Sequence, residues 1–273
     1  MQLFNCHTHT SYSPDGKADL LDICEEALSD GLSGFAVTDH LNCEEHGASV
    51  NFSNIKKSFV KTNSAKKEYC GKLIIASGVE IGDPIFCPAI AEKAAQTLSF
   101  DVLLASVHTL FMHGDLFRLF RIDFSEYTEE QLDAVMLQYF HDINKMLNSI
   151  DFDILCHLTL PLRYIEKRCK RKVQLERYES AISDVLKALI RLDRALEINS
   201  SGFSEGDRFF MPDENIINMY IALGGTKFTL GSDSHINGRL SRGLEAAAEL
   251  LLSRGITELY YYINRKPIKY SIK

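Results

Sequence analysis

The chain has 273 residues, 45% hydrophobic and 25% charged, with no Trp and a formal net charge of −7, the composition of an ordinary soluble globular protein. That acidic balance argues against nucleic-acid backbone or an anionic membrane as the main partner, since both call for basic surface. The first ten residues lack the basic and apolar regions of a secretion signal and no later stretch has the length of a membrane span, so a cytoplasmic protein is expected.

Short apolar runs that end in polar residues recur along the chain, each followed by helical signals. No linker, low-complexity tract or repeat marks a domain boundary. Residues 4–6 form the first run, followed by a loop and a helix over 20–28 that Asp30 and Gly31 terminate. Residues 34–37 form the second and 73–79 the third, which leads to an alanine-rich helix near 90–96. The fourth run covers 102–107 and the fifth 153–156. Between them Leu132, Val135, Met136, Tyr139, Phe140, Ile143 and Leu147 follow a 3.6-residue period, which predicts an amphipathic helix over 128–147. A helix over 175–192 leads to the sixth run, 195–198, and one over 214–223, closed by Gly224 and Gly225, leads to the seventh, 228–230. A helix over 242–253 and a strand-like 258–263 end the series. Strands alternating with helices imply βαβ units with parallel, buried strands. Seven or eight such units favour a closed barrel over an open sheet, so the expected fold is α/β, a single barrel domain over residues 1–273.

The titratable residues fall at the ends of those runs: His7 and His9 after the first, Asp39 and His40 after the second, Glu80 after the third, and His108 after the fourth. His157 follows the fifth, Asn199 the sixth, and Asp233 and His235 the seventh. In a parallel barrel all carboxyl ends open onto one face, where barrel enzymes place their chemistry. Alternate residues of an extended chain point to the same side, so His7 aims with His9 and Asp233 with His235. Imidazole with carboxylate suits Zn, Mn or Fe, and six His with several carboxylates are too many for one tetrahedral ion, so two or three divalent metals are expected. Of the nine His, the remaining three look different: His141 lies on the exposed side of the amphipathic helix, while His46 and His113 sit in loops at a candidate pocket rim. The seven Cys are scattered, with no C-x-x-C pair, and read as reduced thiols.

His7-Thr8-His9-Thr10 with Ser13-Pro14-Asp15-Gly16, then Thr38-Asp39-His40, Gly78-Val79-Glu80, Ser106-Val107-His108, Cys156-His157, Glu197-Ile198-Asn199 and Gly231-Ser232-Asp233-Ser234-His235 together resemble the polymerase and histidinol phosphatase (PHP) family. The motifs occur in the family's order over nearly the whole chain, and within the family the likeness is greatest to the histidinol-phosphate phosphatases. The resemblance implies a distorted (β/α)7 TIM-like barrel with a trinuclear metal centre at its carboxyl end. It implies that His7, His9 and Asp233 hold the first metal, that Glu80 bridges the first and second, and that His108 and His157 complete the second. Asp15, His40 and His235 would hold the third.

The implied chemistry is hydrolysis of L-histidinol phosphate in histidine biosynthesis, with a water between two metals as nucleophile and no phosphoenzyme. Asp233 or His40 would protonate the leaving alkoxide. Phosphate-binding cations are sought in Arg163, after the fifth strand, and then in Arg239 and Arg208. Relatives often carry a basic residue soon after the glycine that follows strand six; here Phe203 and Ser204 follow Gly202, a departure in the loop that would meet the leaving group. Glu205 and Asp207 in that loop are candidate partners for a cationic amino-alcohol. Other readings are a phosphoesterase acting on nucleotides, nucleic-acid ends or phosphotyrosine, for which the basic run at 167–172 is the one pointer, and a non-catalytic metal-binding or regulatory barrel. A small phosphate ester is the expected partner, with no nucleic acid and no membrane; oligomeric state is not legible.

Overall fold

In the computed structural model, which describes residues 2–43, 48–112, 114–204 and 206–273, the seven apolar runs become seven barrel strands joined in parallel. They are β1 (Phe4–Thr8), β2 (Gly34–Val37), β4 (Ile74–Gly82), β5 (Val102–Ser106), β8 (Ile154–Leu155), β9 (Ala195–Asn199) and β10 (Phe228–Gly231), hydrogen-bonded in that order. A short β3 (His40–Asn42) continues β2: Val37 lies opposite Ser77 and His40 opposite Glu80, so the register on β4 carries straight across Thr38 and Asp39. The barrel closes where Asp233 N donates to His7 O and His9 N to Ser234 O, each at 2.8 Å. The Asn5 side chain fastens this seam further, accepting from Ser232 N at 3.1 Å and donating to Ser232 Oγ at 2.7 Å. The fold is thus an α/β barrel, nearly closed, as the strand spacing predicts.

Alternation along the strands sorts the apolar residues into two cores. Phe4, Cys6, Leu104, Ile154 and Cys156 pack inside the barrel with the small side chains of Ala36, Ala76 and Ala195, while Phe35, Val37, Ile75, Leu103 and Leu155 face the helices. Those helices are α1 (Leu20–Ser29), α2 (Ala48–Glu68), α3 (Pro88–Thr97), α4 (Glu129–Leu147), α5 (Glu179–Arg191), α6 (Glu214–Ala222) and α7 (Leu244–Leu252). Thr128 and Gln131 form a reciprocal capping box that starts α4. Among the described residues no helix is long and apolar enough to cross a membrane.

Four features depart from the sequence reading. The segment 258–263 is a strand but joins no barrel position; β11 (Glu258–Ile263) and β12 (Lys266–Ser271) form an antiparallel hairpin that plugs the amino end of the barrel. Its Tyr261 ring stacks on Phe4 at 4.5 Å, and its turn is held by Asp101, which accepts from Asn264 N at 3.1 Å. Helix α2 is absent from the sequence reading because its described buried face mixes hydroxyl with apolar side chains: Ser58 and Thr62 are buried beside Ile55 and Ala65. A hairpin of β6 (Thr109–Met112) and β7 (Asp115–Arg118) follows β5; Phe111, Leu116 and Phe117 are exposed on it, so it carries no inside-outside alternation to read. Helix α7 starts at Leu244 rather than at 242 because Gly243 sits at φ 72°, outside the helical region.

Candidate metal centre

Glu80 is the hub of the carboxyl face. It lies within β4, two residues before that strand's end rather than past it, and is fully buried. Its Oε2 is 3.2 Å from His7 Nε2, 3.4 Å from His9 Nε2 and 2.9 Å from His40 Nδ1. Its Oε1 is 3.2 Å from His108 Nε2 and 3.0 Å from His157 Nε2. One carboxylate therefore touches five imidazoles delivered by four different strands, His7 and His9 both coming from β1.

The remaining acids close the cluster. Asp233 Oδ1 lies 3.3 Å from His9 Nε2 and 3.6 Å from His7 Nε2. Asp15 Oδ1 lies 3.7 Å from His40 Nε2 and 3.4 Å from His235 Nε2. The loop that carries Asp15 is tied down by the buried Asp39 carboxylate, which accepts from Thr10 N at 2.7 Å and Ser13 Oγ at 2.8 Å. Asp39 thus holds a loop in place. All nine residues His7, His9, Asp15, His40, Glu80, His108, His157, Asp233 and His235 are brought together in one contiguous cluster.

These spacings test whether divalent cations fit. Ligand atoms ~2.1 Å from one tetrahedral ion lie roughly 3.4 Å from each other, and the contacts above scatter about that edge length. Three sets, His7 with His9 and Asp233, His40 with Glu80 and His108, and His9 with His40 and His235, each offer three donor atoms within 4.8 Å of one another. A fourth set adds the Cys156 thiol to His7 and Glu80. His40 Nδ1 lies 2.9 Å from Glu80 Oε2 and has no hydrogen-bond partner, a buried polar atom left unsatisfied inside the cluster. The described residues fit several divalent cations.

Electrostatics agree with a site that concentrates both charges. Burial disfavours the Glu80 carboxylate, but His40, His7 and His108 outweigh it and hold the group well below the usual range. Asp233 is likewise held low against its burial by His7, His9 and Arg163. Burial and the neighbouring His235 and His40 push His9 well down, toward the neutral ligand form. Two site residues, His157 at φ 26° and Asp233 at φ 50°, hold left-handed backbone, a local strain of ~1–3 kcal/mol each; Asp233 belongs to the barrel seam.

A cavity of about 430 Å³ opens above the cluster, and Asn42, Arg118, Phe120, Leu160, Arg163 and Tyr164 form its upper wall. Arg163 reaches the centre directly, its guanidinium 3.2 Å from Asp233 Oδ2. Arg208 and Arg239 do not line it. Arg208 is exposed and 3.5 Å from Glu249; Arg239 is exposed on a segment that Glu26 of α1 draws to the outside of the barrel through Gly238 N and Leu240 N, both at 2.7 Å. Arg118, which the sequence reading passed over, takes their place on the cavity wall. The signal for it is a cation shortly after the fourth strand, masked by the unread hairpin. Asp207 pairs with Lys167, and His141 is exposed on α4. His46, His113 and Glu205 lie outside the described residues. The basic run is partly engaged within the chain: Arg168 donates to Phe120 O and Ile122 O, and Arg171 pairs with Glu129.

A model of the PHP domain matches residues 5–201. Among characterised sequences, the chain is 28% identical to a probable histidinol-phosphatase of Thermotoga maritima, over 89% of this chain and 88% of that one. It is 25% identical to the histidinol-phosphatase of Lactococcus lactis, over 97% and 96% of the two chains. Among solved structures, the histidinol phosphate phosphatase of Lactococcus lactis, in complex with zinc, L-histidinol and phosphate, superposes with a TM-score of 0.82 at 24% identity, over 98% of this chain and 99% of that one. A structure from Listeria monocytogenes described as a putative histidinol phosphatase gives 0.75 at 18% identity, over 89% and 99%. With nine ligand-type side chains at the carboxyl end of a seven-stranded barrel and a domain match over most of its length, this chain belongs to the PHP domain family.

Proposed function

We propose that the chain is a metal-dependent phosphomonoester hydrolase that converts L-histidinol phosphate to L-histidinol and phosphate, a step of histidine biosynthesis. The carrying observation is the stacking of three elements in one place: a floor of nine ligand-type residues, an open cavity of about 430 Å³ above it, and the Arg163 guanidinium at their junction. Relatives named histidinol-phosphatase along the full length supply the substrate.

His7, His9 and Asp233 would hold one divalent ion, Glu80 with His108 and His157 a second, and Asp15, His40 and His235 a third. Divalent ions bound there make a coordinated water acidic near neutral pH and neutralise charge on the phosphoryl oxygens. Arg163 binds the phosphate, for which its planar fork is suited, and Arg118 faces it from the opposite hairpin. Phe120, Leu160 and Tyr164 provide the apolar wall against the leaving group. Asp233 or His40 delivers the proton to the departing alkoxide, directly or through a water. A solvated active form in the cytoplasm, acting as one unit over residues 1–273, agrees with the acidic composition and the continuous barrel.

Two features weigh against the other readings. The cations at 167–172 that a polynucleotide would need are partly consumed by contacts within the chain. A purely structural metal site is closed, with no coordination position facing solvent, whereas here the cavity opens over the ligands. Purified protein loaded with Zn, Mn or Fe should release phosphate from L-histidinol phosphate far faster than from nucleotides, phosphotyrosine or p-nitrophenyl phosphate. Preference for a nucleotide would replace the substrate, and inertness toward every ester at full metal loading would restore the non-catalytic reading.

A further inference from the structure

Strand β9 contributes no metal ligand, yet its alternate residues Glu197 and Asn199, with Ser201 in the turn that follows, run up one side of the site. Glu197 is fully buried; its Oε1 lies 2.7 Å from His7 Nδ1, and its Oε2 accepts from His157 N at 2.7 Å. Asn199, also fully buried, donates from Nδ2 to the same Oε2 at 3.1 Å. Its Oδ1 accepts from Ser201 N at 3.1 Å and from the Ser201 hydroxyl. Ser201 Oγ in turn accepts from the Arg163 guanidinium. Arg163 then contacts Asp233 at 3.2 Å, and Asp233 returns to His7 at 3.6 Å. The side chains close a ring: His7, Glu197, Asn199, Ser201, Arg163, Asp233.

The period-two spacing puts residues 197 and 199 on one face of the strand, and the turn after it brings Ser201 back onto Asn199 through Ser201 N and Asn199 Oδ1. Space for it is made by the neighbouring strand: Gly231 lies opposite Asn199, and a Cβ there would fall 2.0 Å from Glu197 Oε1. Asn199 bonds in both directions, its amide nitrogen toward the carboxylate and its oxygen toward the serine. That fixes the orientation of its amide and, through it, the direction of the whole ladder.

The geometry points to Glu197, Asn199 and Ser201 as a positioning ladder that couples metal holding by His7 and His157 to phosphate binding by Arg163. Glu197 orients the His7 imidazole and anchors the His157 backbone N–H, Ser201 sets the guanidinium, and Asn199 transmits between them. The inference rests on the proposed phosphatase reading only in taking Arg163 as the phosphate ligand. Its test uses zinc and inorganic phosphate, so it does not depend on which ester is hydrolysed.

Zinc affinity is measured by chelator competition and inorganic phosphate affinity by calorimetry on the zinc-loaded full chain. Glu197→Gln should weaken zinc binding by ~10–100-fold, as loss of a carboxylate behind a ligating imidazole does. Ser201→Ala should weaken phosphate several-fold while leaving zinc affinity within about two-fold. Asn199→Ala should weaken both. If Asn199→Ala leaves either affinity unchanged, or Ser201→Ala leaves phosphate binding unchanged, the coupling is absent. Should Asn199→Ala fail to fold, the Ser201→Ala result decides alone. Intact ladder behaviour in a protein inert toward L-histidinol phosphate would overturn the substrate reading and leave the ladder standing.

Discussion

The Glu197 carboxylate occupies the space that a side chain at Gly231 would need: a Cβ built there falls 2.0 Å from Glu197 Oε1 and 2.7 Å from the Cβ of His7. Neither neighbour can retreat, because both are fully buried in the barrel. Gly231→Ala should therefore displace Glu197, cost ~1–3 kcal/mol of stability by overpacking and lower the bound metal, read by thermal unfolding together with elemental analysis. A variant with wild-type stability and full metal content would show that the space is not needed.

Glu80→Gln keeps the shape of the hub but removes its charge. Five imidazoles then lose their common anion, and the Coulomb attraction for cations shared across the sites falls. At least one equivalent of metal should be lost, with activity down by more than about 100-fold. Metal counts at each purification step, alongside phosphate release, check this; retention of the full complement would show that Glu80 does not bridge.

Asp101 links parts of the fold far from the cavity. Burial disfavours its charge, but the Lys66 ammonium and the backbone N–H groups of Ser77 and Asn264 outweigh burial and hold its carboxyl below the ordinary value of 3.8. A depressed carboxyl contributes stability that is present above its unfolded value and lost as pH falls through the folded one. Asp101→Asn should thus cost ~1–3 kcal/mol at pH 7 and progressively less below about pH 4. Urea unfolding of both proteins at neutral and acid pH reads the difference. A penalty that is the same at both pH values would contradict the ionic origin.

Removal of metal should destabilise the protein, because carboxylates and imidazoles packed at 3 to 4 Å lose the cations that share them. Each ion present at 100 times its dissociation constant stabilises the folded state by ~2.7 kcal/mol. Chelation should lower the unfolding temperature by several degrees, reversibly on adding zinc. Acid should act in the same direction as a chelator, since imidazole must be neutral to bind metal.

Most of the candidate metal cluster was legible because its members lie at or near the ends of apolar runs, which a parallel barrel gathers on one face; Asp15, in the loop after β1, was reached only through the family resemblance. The His7 and His9 pair, and Asp233 with His235, carried the spacing as well. Glu197 and Asn199 were placed in the correct strand but given no task, because orienting a ligand leaves no spacing pattern beyond strand alternation. Arg239 was sought at the cavity because it follows Asp233 and His235 in sequence; the chain there turns away to meet Glu26, a tertiary contact that local order does not encode. Helix α2 and the β6–β7 hairpin escaped because neither presents one apolar face: the first buries Ser58 and Thr62, and the second exposes Phe111, Leu116 and Phe117.

The most direct measurement is phosphate release from L-histidinol phosphate by the metal-free chain titrated with Zn, Mn or Fe. Turnover should be absent without metal, rise with loading and saturate at two or three equivalents per chain. No release at any loading, or full turnover in the presence of excess chelator, would contradict a metal-dependent histidinol-phosphate phosphatase.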